Sequence, residues 1–249
     1  MAWNSGEKIK KRGIVLRNVP TKGNDAMITA LGDGGVFSFY ARGVRKLPSK
    51  NGSGCTELCL GSFILTESQN GPTSLVEASP EALLYSDKSL ESSICASLLA
   101  EAALKLFSEP GEEPSVDLFM WLEASLRAIK DSDNPLAYAF IGFCKLLVYA
   151  GIGLDVGECV LCGKKTDIVG VSYADGGFVC RDCAAELGIE KSPVVQLKML
   201  RFAFRCAISD LPKAQFAPSD SIALLIALAD YLSEQTGINL SGMKLLRTI

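Results

Sequence analysis

The chain has 249 residues, 48% of them hydrophobic, enough for two or three packed units built on real cores. Its 25 Lys+Arg against 28 Asp+Glu give a net charge of −3, and it contains no histidine. That absence excludes Ser-His-Asp and Cys-His catalysis, histidine-liganded zinc proteases and a histidine pH switch.

The amino-terminal fifth is charged differently from the rest. Residues 1–50 hold ten basic side chains (Lys8, Lys10, Lys11, Arg12, Arg17, Lys22, Arg42, Arg45, Lys46 and Lys50) and three acidic ones (Glu7, Asp25 and Asp33). The resulting +7 leaves −10 for residues 51–249, so an acidic protein can still present a basic face to a polyanion. Residues 1–13 contain no apolar run of signal-peptide length. The longest apolar stretch, 221–232, includes Asp230 and falls short of the roughly 20 residues of a membrane span. The expectation is a cytoplasmic protein without a membrane role, its nine cysteines reduced.

Five short runs rich in β-branched and aromatic residues follow, at 13–17 (GIVLR), 26–31 (AMITAL), 36–41 (VFSFYA), 60–66 (LGSFILT) and 74–78 (SLVEA). PTKGND, GDGG, PSKNGSG and QNGPT separate them, all residues that make tight turns. Five strands of this length predict a small closed barrel, because closure removes exposed edges. Phe37, Phe39 and Tyr40 lie on one strand, with Phe37 and Phe39 expected in the core and Tyr40 a weaker candidate for stacking on a base. Ser79-Pro80-Glu81 then reads as an N-cap followed by Pro at the first helical position. Helical apolar stripes follow at Ile94/Leu98/Ala102, at 115–129 and at 135–150, with further helices opening at Ser192-Pro193 and spanning 219–236. The fold class is therefore α+β, an amino-terminal five-stranded barrel followed by a helical bundle carrying a cysteine insert. The expected units are the barrel at 1–79, helices at 80–154, the insert at 155–188 and helices at 189–249.

Within the insert, Cys159-x2-Cys162-Gly163 and Cys180-x2-Cys183 stand seventeen residues apart, the spacing of a zinc ribbon. Four thiolates close the coordination sphere, so the expected Zn²⁺ is structural. Asp175-Gly176 between the pairs marks a hairpin turn. Cys55, Cys59, Cys95, Cys144 and Cys206 read as core residues. There is no phosphate-binding G-x-x-x-x-G-K-[ST] loop, and the carboxylate pair Glu112-Glu113 lies in a Pro/Gly linker. No nucleophile, base and oxyanion set assembles, and the expectation is a binding protein rather than an enzyme.

Taken in order, Gly13-Ile-Val-Leu-Arg17, Asp25, Ala41-Arg42-Gly43-Val44-Arg45-Lys46, Ala100-Glu101-Ala102, the Ala150-Gly151 helix end and the cysteine quartet resemble the bacterial RecO family of recombination mediators along essentially the whole chain. The chain departs from that pattern at 51–59 (NGSGCTELC) and in its Ser241-Gly-Met-Lys-Leu-Leu ending. The resemblance implies an oligonucleotide-binding (OB) barrel, binding of single- and double-stranded DNA, annealing of complementary strands and association with the nucleoid. It also implies contact with the acidic, apolar tail of single-stranded DNA-binding protein (SSB) and a partnership with RecR in loading RecA during recombinational repair. On this reading Arg42, Arg45 and Lys46 are the central phosphate contacts, with Lys10, Lys11, Arg12, Arg17, Lys22 and Lys50 as a surrounding funnel. Lys145, Lys198, Arg201 and Arg205 are candidate walls of a pocket for the SSB tail. Two other readings use the same residues: an RNA-binding protein, and a protein-interaction adaptor built on the bundle.

Overall fold

The computed structural model describes residues 7–68, 71–85, 89–108 and 116–247; the Glu112-Glu113 pair lies outside them. The first five elements are strands: β1 (Lys8–Pro20), β2 (Ala26–Gly32), β3 (Gly35–Ala41), β4 (Cys59–Ser68) and β5 (Gly71–Leu83). They form a closed barrel in the order β1-β2-β3-β5-β4. The first strand makes closure possible. Its first half pairs with β4, from Lys8↔Thr66 to Ile14↔Leu60. Its second half pairs with β2, from Gly13↔Gly32 to Pro20↔Ala26, and a bulge falls between Val15 and Arg17 where the strand bends. The opposite seam is narrow, a single parallel bridge between Tyr40 and Ser74. The KIKKR cluster at 8–12 is thus part of the sheet, and β1 is longer than its apolar core at 13–17 indicated.

Strand alternation divides the barrel's apolar residues between two cores. Val15, Ile28, Phe39, Phe63 and Leu65 fill the interior. Ile14, Leu16, Leu31, Leu58, Leu60 and Leu84 instead join the cluster formed by the helices, so one outer wall of the barrel is the floor of the helical part.

One expectation is overturned at this junction. Ser79-Pro80-Glu81 does not start a helix but lies within β5, which extends to Leu83. Pro80 sits opposite Gly61 beside a register shift, where the missing N–H of proline is tolerated, and Glu81 is the bulged residue. The first helix, α1 (Leu90–Phe107), starts later, with Ser89 as its N-cap accepting the Ser92 N–H at 3.0 Å. Then come α2 (Val116–Asp131) and α3 (Pro135–Tyr149), the latter buried nearly all round and packed against α1, α2, α5 and α6. A small hairpin of β6 (Ile168–Ser172) and β7 (Gly177–Cys180) precedes α4 (Arg181–Leu187). The chain closes with α5 (Val194–Arg205), α6 (Pro218–Thr236) and the short α7 (Gly242–Leu246). No helix of the described residues is long and apolar enough to cross a membrane.

Candidate nucleic-acid interface and metal centre

The antiparallel register sorts the basic residues of the barrel into two groups. The β1–β2 turn meets the end of β3, since Ala26 pairs with both Pro20 and Ala41. Lys22 on that turn therefore neighbours the loop that carries Arg42, Arg45 and Lys46. The β2–β3 turn lies at the other end, where Gly32 pairs with Gly13, and this is where Lys10 and Lys11 project. From Lys11 to Pro20 is up to about 30 Å of strand.

The 42–46 loop is held from below. The Asp25 carboxylate accepts the Tyr40 hydroxyl and, at 2.7 Å, the Gly43 N–H. Those two bonds, in that order, hold the Asp25 carboxyl below its usual range. Gly43 adopts φ +61, which a glycine tolerates best. The Arg45 N–H donates to Asn24 O at 3.0 Å, and Val44, 5% exposed, plugs the barrel end. Further along, the Asn51 amide clamps the loop to β5, accepting the Ala78 N–H at 3.1 Å and donating to Val76 O at 3.4 Å. The backbone is fixed while Arg42, Arg45, Lys46 and Lys50 point into solvent. Tyr40, half-buried, commits its hydroxyl to Asp25 and so ties the end of β3 to the loop's anchor.

Among the described residues, no ion pair involves Lys10, Lys11, Arg17, Lys22, Arg42, Arg45, Lys46 or Lys50. Arg12 differs from these eight. Its guanidinium contacts Glu123 of α2 at 3.0 Å and Glu81 at 2.8 Å, and lies 5.3 Å from the Phe119 ring centroid. Hydrogen bonding to Glu123 raises its pKa, with Glu81 adding to it. Arg12 therefore ties barrel to helices, and its charge is already neutralised. Sequence alone offers no sign of this, because Glu123 is 111 residues away.

Two of the four residues considered as pocket walls are also committed. Lys145 is 6% exposed; its ammonium donates to Cys206 O at 2.7 Å and Phe204 O at 3.1 Å, and lies 4.6 Å from the Trp121 ring centroid. It satisfies the carboxyl end of α5, and burial lowers its pKa. Arg201 donates to Val156 O at 3.0 Å and covers the Phe178 ring. Lys198 and Arg205 remain exposed, and Arg205 borders a depression of about 350 Å³ with Val148, Leu154, Asp155 and Phe204.

In the insert, the Sγ atoms of Cys159, Cys162, Cys180 and Cys183 lie within 4.8 Å of one another, and this cluster could hold a metal ion. The first pair sits on a knuckle. Gly163, at φ +73, donates to Cys159 O at 2.8 Å, and Cys159 N–H donates to Lys164 O at 2.8 Å. The hairpin returns the second pair, placing Cys180 at the end of β7 and Cys183 in the first turn of α4. Gly177 allows the close crossing: a Cβ there would lie 2.4 Å from Val160 Cγ1 and 2.5 Å from Asp155 O. Burial opposes ionisation of Cys159, but N–H groups of Cys180, Leu161 and Cys162 bring its thiol down to about 6. The other five cysteines are buried, with burial pushing Cys55 and Cys95 up to about 12.

Residues 88–243 match the protein family described as "Recombination protein O C terminal". The chain is 25% identical over 241 residues to a DNA repair protein RecO of Bacillus pumilus (strain SAFR-032), covering 95% of this chain and 92% of that protein. It is 24% identical over 246 residues to the DNA repair protein RecO of Bacillus subtilis (strain 168), covering 95% and 93%. With the protein of that name from Frankia casuarinae it shares 28% identity over 182 residues, 70% and 72% of the two chains.

Proposed function

This chain belongs to the recombination protein O family of DNA repair proteins, and from that premise we propose that it is a recombination mediator whose barrel binds DNA through cations that make no ion pair among the described residues. The observation that carries the reading is the group of barrel cations without an ion-pair partner among the described residues, of which Arg42, Arg45 and Lys46 stand on the 42–46 loop with Lys22 and Lys50 beside it. Such a surface neutralises phosphate repulsion between two strands and leaves their bases free to pair, so annealing needs no nucleotide hydrolysis. The mediator binds single- and double-stranded DNA, anneals complementary strands and acts with RecR to load RecA on SSB-coated DNA. The depression beside Arg205, where Val148, Leu154 and Phe204 meet one cation and the Asp155 carboxylate, is the candidate seat of the SSB tail.

The cysteine quartet holds one structural Zn²⁺. Tetrahedral thiolates at about 2.3 Å from zinc stand about 3.8 Å apart. The Cys162 and Cys180 sulfurs are 3.7 Å apart and all four sulfurs lie within 4.8 Å of one another, within reach of one ion.

The test is the annealing rate of two complementary oligonucleotides precoated with SSB, without ATP. The protein should accelerate it strongly, and Arg42→Ala/Arg45→Ala/Lys46→Ala should abolish most of the acceleration. In direct single-strand binding, each lost phosphate contact should reduce the log–log salt slope by about 0.7, so the triple variant flattens it by about 2. Arg12→Ala should leave the slope as it is. An unchanged slope in the triple variant overturns the loop assignment, and preference for matched RNA over DNA overturns the choice of ligand.

A further inference from the structure

Phe37 ends an aromatic stack that runs out of the barrel interior. Its ring lies 6.0 Å from Phe39 at an interplanar angle of 24° and 6.1 Å from Phe63 edge-on. Two glycines seat it: a Cβ at Gly13 would lie 3.0 Å from Phe37 Cε1, and one at Gly32 would lie 3.2 Å from the same atom and 2.3 Å from Arg12 O. The ring is therefore fixed from below and from the side, yet only partly buried. Above it opens a cleft of about 480 Å³, whose lining includes Lys10, Lys11, Asp33 and Ser62. The Lys11 ammonium rests 5.1 Å from the ring centroid.

The cleft combines a rigid aromatic face with two cations that have no ion-pair partner among the described residues, at a volume within the usual range of small-ligand sites. A planar base stacks on such a face, and an ammonium binds the phosphate attached to it. We propose that this cleft is a nucleotide subsite: one base of a bound strand takes the place of Lys11 against Phe37, and the Lys11 ammonium turns to that nucleotide's phosphate. The inference rests on the reading of the barrel as a DNA-binding surface and extends it to the end opposite the 42–46 loop. Stacking reads no base edge, so the subsite anchors a strand without selecting its sequence.

The test is photocrosslinking of the full-length protein to a single-stranded oligonucleotide carrying 5-iodouracil, and separately to 5-iodo-2′-deoxyuridine monophosphate, with the adduct mapped by peptide mass spectrometry. The oligonucleotide should crosslink at Phe37. Phe37→Leu should remove the adduct and weaken strand binding about five- to a hundredfold with the salt slope preserved, while Phe37→Tyr retains both. Lys11→Gln should flatten the slope by about 0.7. An adduct from the mononucleotide alone, without strand binding, would retire the DNA reading yet uphold the cleft as a nucleotide site. Absence of a Phe37 adduct in both arms overturns the subsite, whatever the barrel's affinity for strands.

Discussion

The Glu101 carboxylate lies beneath the start of α7, where it accepts the Ser241 N–H at 2.8 Å, the Ser241 hydroxyl at 2.7 Å and the Gly242 N–H at 2.9 Å. The Lys105 ammonium, 2.8 Å away, completes the set. Burial by itself would raise this carboxyl, but the Lys105 ammonium and the Gly242 and Ser241 donors more than reverse it, from the ordinary 4.5 to about 2. A carboxyl depressed in the folded state adds stability that is complete above its unfolded pKa and lost as pH falls through the folded one. Stability should therefore decline between pH about 4.5 and about 2 as this group takes up its proton. Glu101→Ala should cost about 1–3 kcal/mol near neutral pH and flatten that acid limb, as read by denaturant melts at pH 3 and pH 6. An acid limb as steep as the wild type's would mean that other carboxylates set it. The Ala100-Glu101-Ala102 stretch thus acts through the carboxyl-terminal segment, one of the two places where the chain departs from the family pattern.

At the scale of an element, the insert has little apolar core of its own. Its buried cluster is Cys159, Val179, Cys180 and Ala184, two of the four being candidate metal ligands. A hairpin and one short helix bury too little to stand without a metal, and zinc contributes on the order of 10 kcal/mol in isolated zinc peptides. The protein should bind one Zn²⁺ per chain by elemental analysis. Cys162→Ser should lower it, since three thiolates leave the fourth position to water and hold the ion less tightly. Cys162 is exposed, so the substitution leaves the core intact and its effect reports the metal. Hydrogen exchange should then rise throughout β6, β7 and α4 while α2 and α3 stay protected. Full zinc content in that variant would remove Cys162 from the ligand set.

Over the whole molecule, the barrel and helices share a core. Leu60 is fully buried and belongs with Ile14 and Leu31 to the same cluster as Leu98, Phe140 and Leu228. The Arg12 contacts to Glu123 and Glu81 close the rim of this interface, and Lys130 donates to Leu83 O at 2.6 Å. The expected consequence is a single cooperative unfolding transition for barrel and bundle. Leu60→Ala should lower stability by about 2–5 kcal/mol and shift hydrogen exchange in β2 and α2 together. Separate calorimetric transitions would show two independent units.

Local chemistry explains what could be read from the sequence and what could not. Strand alternation, helical stripes, the positive-φ Gly163 and the C-x2-C spacing act over a few residues, so the barrel, the main helices and the cysteine cluster are legible in the sequence. Ser79-Pro80-Glu81 misled because an N-cap and a proline beside a β-bulge have the same local sequence; only pairing with Gly61, a long-range event, distinguishes them. The same holds for the side chains. Sequence identified Arg12 and Lys145 as cations, but a charge becomes available or committed through partners far along the chain, such as Glu123 for Arg12 and Cys206 O for Lys145. The sequence by itself determined which residues carry charge, sulfur and apolar bulk. Only the tertiary structure decided which charges face solvent, because burial and ion pairing depend on neighbours that folding alone brings together.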